Sequence, residues 1–111
     1  KNTQAWKLFG KAGTVRLRFR HRYEVDPDYI DRLEEKGLAF SGKAPNQPIM
    51  QILELKEHAF FMGTQSHPEL TSRPLRPAPM FVGLVAAARR QKYPEADLDE
   101  PLAAAEKVRR F

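Results

Sequence analysis

Across residues 15–25 apolar and polar positions alternate. Val15, Leu17, Phe19, His21 and Tyr23 fall on one side, and Arg16, Arg18, Arg20, Arg22 and Glu24 on the other. Alternation with period 2 predicts a strand with one polar face. Asp26-Pro27 then closes the strand and opens a helix. Asp26 suits the N-cap, Pro27 the first helical position, and Asp28 and Asp31 the positive end of the helix dipole. Tyr29, Ile30 and Leu33 are its expected buried stripe, and Gly37 its stop. Strands are predicted over residues 38–42, 49–55 and 60–65, the last apolar enough to be buried. A polar, proline-bearing loop at 43–48 separates the first two. Connections this short favour an antiparallel meander or hairpin over parallel crossovers.

Residues 3–9 read as a short helix ahead of this core. The stretch "SRPLRPAP", residues 72–79, must run extended and irregular because of its three prolines. Residues 78–91 then read as a helix, with Met80, Phe81, Leu84, Val85 and Ala88 as its inner face and Pro79 near its start. Residues 93–97 break that helix. The tail over 99–110, "DEPLAAAEKVRR", is acidic first and basic last, the order a helix dipole favours. The expected organisation is a main unit at 1–91 and a helical tail at 92–111, with no internal repeat. The fold class read from these elements is α+β, a short, mostly antiparallel sheet with two main helices.

Composition narrows the setting. A chain of 111 residues is one small domain, and 41% hydrophobic residues is too many for a disordered one. No apolar run of about 18 residues predicts a membrane span. No cysteine means no disulfide framework and no thiolate metal site within this sequence, which suits an intracellular or organellar setting. The first residue is Lys1, so a processed chain or a piece of a longer one is expected. The net charge of +5 is concentrated near the start. Lys1, Lys7, Lys11, Arg16, Arg18, Arg20 and Arg22 face only Glu24 within the first 25 residues, and the remainder is close to balanced. Such a segment either holds phosphates or an acidic partner, or is a solvated face. Nucleic-acid binding through it has little support, since no aromatic residues interleave on the arginine side.

Three histidines are candidates for chemistry: His21, His58 and His67. They are scattered without an i,i+4 pair, and no metal site is expected from them. His58 reads as a turn residue. His67 and Glu69 flank Pro68 in "GTQSHPEL". In an extended segment, positions i and i+2 project to the same side, so the carboxylate can meet the imidazole. A general base needs that pairing: a ring, and an anion that fixes its tautomer and stabilises the imidazolium. The same tripeptide also serves as a plain turn.

The neighbouring residues add a resemblance. "GTQSHPELTSRPLRPAPMFVGLVAAA" is similar to the C-terminal end of the class I glutamine amidotransferase domain of CTP synthases. "RFRHRYEVDPDYIDRLEEKGLAFSG" resembles that family's basic RHRHRYEV segment, helix and following F-S-G. "QILELKEHAFFMGTQ" resembles its approach to the catalytic histidine, and "AWKLFG" its K-L-Y-G. The likeness covers roughly residues 5–88 and implies part of a larger α/β domain. It implies His67 as acid and base and Glu69 as the residue that orients the ring. It also implies Arg22 and Tyr23 as the holders of the glutamine substrate. The family's Gly-x-Cys-x-Gly elbow, which supplies nucleophile and oxyanion hole, has no counterpart in this sequence. Leu17 and Phe19 stand where the family's basic segment has Glu and His. Ala59 replaces a proline, Leu70 a phenylalanine, and Gln51 a glutamate.

Two functions follow as expectations. In the first, the chain is the C-terminal part of a CTP synthase-like enzyme that supplies glutamine-derived ammonia for converting UTP to CTP. Its partners are then the cysteine-bearing and synthetase parts. ATP, UTP and magnesium serve the complete enzyme, and no cofactor binds this chain. Without a nucleophile the chain is inert alone, and its expected location is the cytoplasm. In the second, a decayed fragment of the same origin is a non-catalytic subunit of a large assembly, docked through its basic part and tail, with the mitochondrion as its expected location.

Overall fold

The computed structural model describes residues 2–94. Three antiparallel strands form a meander in the order β1-β2-β3: β1 at Leu38–Lys43, β2 at Met50–Leu55 and β3 at Met62–Thr64. Helix α1, Gln4–Leu8, packs on β1, β2 and α3. A 3-10 turn at Pro27–Tyr29 leads into α2, Ile30–Glu35, which packs on β1. The longest helix among the described residues, α3, is Pro79–Lys92. The expected α+β class and meander are both present. Among the described residues no helix is long and apolar enough to cross a membrane. The tail expected to form a helix over 99–110 lies outside the described residues.

Local chemistry explains the element ends. The Asp26 carboxylate accepts from the Asp28 N–H at 3.0 Å, capping the turn that Pro27 begins. Gly37, at φ +98°, stops α2 in a conformation that a side chain would strain. Register puts Phe40 opposite Leu53, and Leu53 opposite Gly63, on one sheet face. The other face carries Ile52 and Glu54, both buried beneath α1.

Glu54 is the buried carboxylate among the described residues and is completely shielded from solvent. Its Oε1 accepts from the Gln4 N–H at 2.8 Å and its Oε2 from the Ala5 N–H at 3.0 Å. These are orphan donors of the first turn of α1, where a negative charge is favoured. Thr3 caps the same turn by accepting from the Trp6 N–H at 3.1 Å.

Several expectations are corrected. Residues 15–25 do not form a strand. The segment runs irregularly and makes one isolated antiparallel bridge, Phe19 to Ser66, with the His67 N–H donating to the Arg18 carbonyl at 2.9 Å. A ladder needs a partner that stays straight, and the chain after β3 does not. The Ser66 N–H donates to Thr64 Oγ1 at 3.0 Å, and Pro68 then has no N–H to offer. The third strand is shorter than the expected 60–65. Phe60 belongs to the preceding turn, where its N–H donates to His58 Nδ1 at 3.1 Å, and Phe61 is exposed.

The inner faces of two helices also differ from expectation. Tyr29 is half exposed and Leu33 is partly open. On α3 Met80 is buried as expected, but its buried companions are Gly83, Ala86 and Ala87, whereas Phe81, Leu84, Val85 and Ala88 are exposed. Close approach decides this. A Cβ at Gly83 would meet Leu8 Cδ1 at 2.7 Å and Phe60 Cε2 at 2.8 Å. The small-residue side of α3 therefore docks against α1 and Phe60, and the bulky side is left outward.

Candidate active site

The turn after β3 builds the site. Thr64 and Ser66 share a hydroxyl–hydroxyl bond of 2.6 Å, and Ser66 is buried, so the bend is set from within. His67 follows at φ −112°, and Pro68–Leu70 form a 3-10 turn. The Leu70 N–H donates to the His67 carbonyl at 3.1 Å, and the Ser72 N–H to the Pro68 carbonyl at 2.9 Å. Ser72 Oγ in turn accepts from the Ala78 N–H at 3.0 Å, anchoring the start of α3. The intervening prolines form a tight loop in which Arg73 and Arg76 bridge each other through backbone.

His67 Nδ1 lies 2.7 Å from Glu69 Oε1. The expected pair is therefore formed, but through the 3-10 turn rather than by same-side projection from an extended strand. The carboxylate accepts, so Nδ1 carries the proton. The Nε2 lone pair of the neutral ring has no hydrogen-bond partner among the described residues, and the side chain is 41% exposed. This is the arrangement of an oriented base: one ring nitrogen fixed, the other presented outward. Beneath it, Phe9, Leu17, Pro68, Ala78 and Met80 close round a cleft of only about 30 Å³. The backbone of His67 thus stands on a packed floor.

The bond to His67 holds the Glu69 carboxyl below its ordinary value of 4.5, with its own backbone N–H adding to the effect. A carboxylate whose folded pKa is lowered keeps its partner above the unfolded value and loses it as pH falls through the lowered one. The Glu69 side-chain carbon signal should accordingly titrate with a midpoint below 4.5, and His67→Ala should return it toward 4.5. A midpoint that ignores the substitution would contradict the pairing.

Arg22 and Tyr23, the expected substrate holders, lie on the irregular segment that runs beside this turn. Both side chains are exposed, Tyr23 at 87%, and Arg22 has no ion-pair partner among the described residues. Among the described residues no hydrogen bond or ion pair joins them to His67. What binds the two segments is a seam of backbone and amide groups. It comprises Arg18 to His67, Phe19 to Ser66, and Gln65 Nε2 donating to the Tyr23 carbonyl at 3.2 Å. Sequence reasoning missed Gln65 and Glu54, since neither an amide nor a lone strand carboxylate announces its partner. Among the described residues no group of three or more His, Cys, Asp or Glu is placed to hold a metal.

Comparison with known proteins gives a consistent picture. Residues 1–87 match the family model described as Glutamine amidotransferase class-I. The chain is 55% identical over 93 residues to the CTP synthase of Thermococcus gammatolerans, covering 83% of this chain and 17% of that protein. It is 52% identical over 81 residues to the CTP synthase of Neurospora crassa, covering 73% and 14%. The chain thus spans about a sixth of the length of the curated relatives it matches. Among solved structures it superposes on the glutaminase domain of Trypanosoma brucei CTPS with bound acivicin at a TM-score of 0.75. That match is 33% identical and covers 81% of this chain and 36% of the other.

Proposed function

The chain belongs to the class I glutamine amidotransferase family, and from that premise we propose that it supplies the acid–base pair and substrate-holding residues of a CTP synthase-type glutaminase. The observation that carries the reading is the 2.7 Å bond from His67 to Glu69 with Nε2 left open. Such a ring takes the proton of a thiol, whose ordinary pKa of about 8.5 leaves it mostly protonated at neutral pH. The thiolate adds to the side-chain carbonyl carbon of glutamine, and the imidazolium returns the proton to the departing ammonia. Water then enters with Nε2 again as base and cleaves the thioester to glutamate and free thiol. Arg22 would receive the α-carboxylate of glutamine.

This sequence has no cysteine, so the thiol must come from another part of the working enzyme. The ammonia would go to a synthetase part using ATP, UTP and magnesium to make CTP. Exposed apolar residues on α3 are consistent with a further domain or subunit lying there. Isolation of the native assembly that contains this chain, with assay of ammonia release from glutamine, tests the proposal. Glutamine-dependent release that tracks the chain supports it. A stable assembly without that activity favours the non-catalytic subunit, to which the departures at Leu17 and Phe19 also lean.

A further inference from the structure

His21 is the one histidine on the basic segment, and its ring is engaged on both sides. Nδ1 lies 2.9 Å from the Tyr23 carbonyl oxygen and Nε2 lies 3.1 Å from Gln51 Oε1. The edge of the ring arrangement is closed by Phe19, packed T-shaped at 5.9 Å between centroids. A carbonyl can only accept, so Nδ1 carries a proton. Gln51 can accept through its oxygen or donate through its nitrogen, and so can pair with Nε2 whether or not that atom is protonated.

The same Tyr23 carbonyl accepts from Gln65 Nε2 at 3.2 Å. Gln65 and Gln51 are neighbours across β2 and the end of β3, since the Gln65 N–H donates to the Gln51 carbonyl at 2.8 Å. Two side chains rooted in the sheet therefore converge, one through an imidazole, on a single peptide oxygen. That oxygen belongs to the Arg22–Tyr23 turn, whose own side chains are exposed and hold nothing in place. The backbone of an irregular segment has no ladder to fix it, so its position depends on such ties.

We infer that His21 is a positioning residue: with Gln51 and Gln65 it clamps the Tyr23 carbonyl and so fixes the Arg22–Tyr23 turn relative to the strand that leads into His67. The inference rests on the reading that Arg22 and Tyr23 hold glutamine, but the clamp itself is a property of this chain. It acts on placement of the substrate and not on the proton transfers. Substrate placement is sensitive to small displacements, so loss of the clamp should raise KM for glutamine and leave kcat nearly unchanged.

The test has two arms. In the 111-residue chain, nuclear magnetic resonance reports backbone order at residues 22–24 and the side-chain amides of Gln51 and Gln65. His21→Ala should drop the order parameters there from about 0.85 to below about 0.6 and bring both amides to solvent-like shifts. The His67–Glu69 signature should stay. His21→Asn, whose amide N–H can reach the Tyr23 carbonyl, should recover most of the order. Rigid residues 22–24 in His21→Ala would overturn the clamp. So would loss of the His67–Glu69 signature together with that order, or failure of Asn to recover it, which would assign the effect to ring packing on Phe19.

In the glutaminase-competent assembly, His21→Ala should raise KM for glutamine about tenfold with kcat within about twofold. A fall in kcat at unchanged KM would overturn the positioning role. If the wild-type assembly does not hydrolyse glutamine, the proposed function fails, and the first arm still decides the clamp.

Discussion

Replacement of His67 by alanine should lower kcat for glutamine hydrolysis by about 10³- to 10⁴-fold in the assembly that supplies the thiol, with KM changed by less than about threefold. The size follows from what the ring does at each step. Without Nε2 the thiol stays mostly protonated at neutral pH, and ammonia has to leave without a donor. Nothing else near the turn can substitute. Without the ring Glu69 returns toward its ordinary carboxyl value of 4.5, too weak a base for a thiol, and Ser66 is buried with its hydroxyl engaged by Thr64. The substitution should spare the fold. The imidazole is partly exposed, its one polar partner among the described residues is Glu69, and the backbone bond from His67 to Arg18 does not involve the side chain. Circular dichroism and the thermal midpoint should therefore stay near wild type while ammonia release collapses. Retention of more than about a tenth of the activity would place the base elsewhere and sink the catalytic reading of His67.

What could be read from the sequence divides along a physical line. Local chemistry was legible: Asp26-Pro27 opens a helix, Gly37 ends it, and short polar loops join strands into a meander. The His67–Glu69 pairing was legible too, because it needs only two residues and the proline between them. The arginine segment misled because alternation describes a strand's faces but says nothing about whether a partner runs beside it. Here the partner bends away at Ser66 after one bridge. On α3, hydrophobicity pointed to Phe81, Leu84 and Val85 as the inner face. The fold buries Met80 as expected but sets Gly83, Ala86 and Ala87 beside it, since α1 and Phe60 come too close for any side chain at Gly83. Periodicity ranks faces by burial energy, whereas docking at short range is limited by volume. Glu54 escaped notice for a related reason. A carboxylate on a strand is ordinarily solvated, and its partners lie 49 and 50 residues earlier in the chain.

That distant pairing makes Glu54→Ala the substitution with the largest expected effect on stability. The wild-type carboxylate satisfies two backbone donors of α1 away from water and complements the helix dipole. Alanine leaves both N–H groups without an acceptor, that of Ala5 buried and that of Gln4 partly so, and leaves a void as well. A loss of about 3 kcal/mol is expected, a large part of the ~5–15 kcal/mol that stabilises a typical domain. Glu54→Gln keeps one oxygen as acceptor and turns an N–H toward the other donor, so it should recover only part of the loss. Urea unfolding would show this as a midpoint that falls strongly for alanine and less for glutamine, with m unchanged if the native state stays compact. The consequence reaches the site, because α1 leads into Phe9, which lines the floor under His67 with Met80 from α3. Release of α1 should therefore expose the His67 turn to protease before the sheet unfolds. An alanine variant as stable as wild type would mean that water replaces the carboxylate at the helix start, and that α1 is held by packing alone.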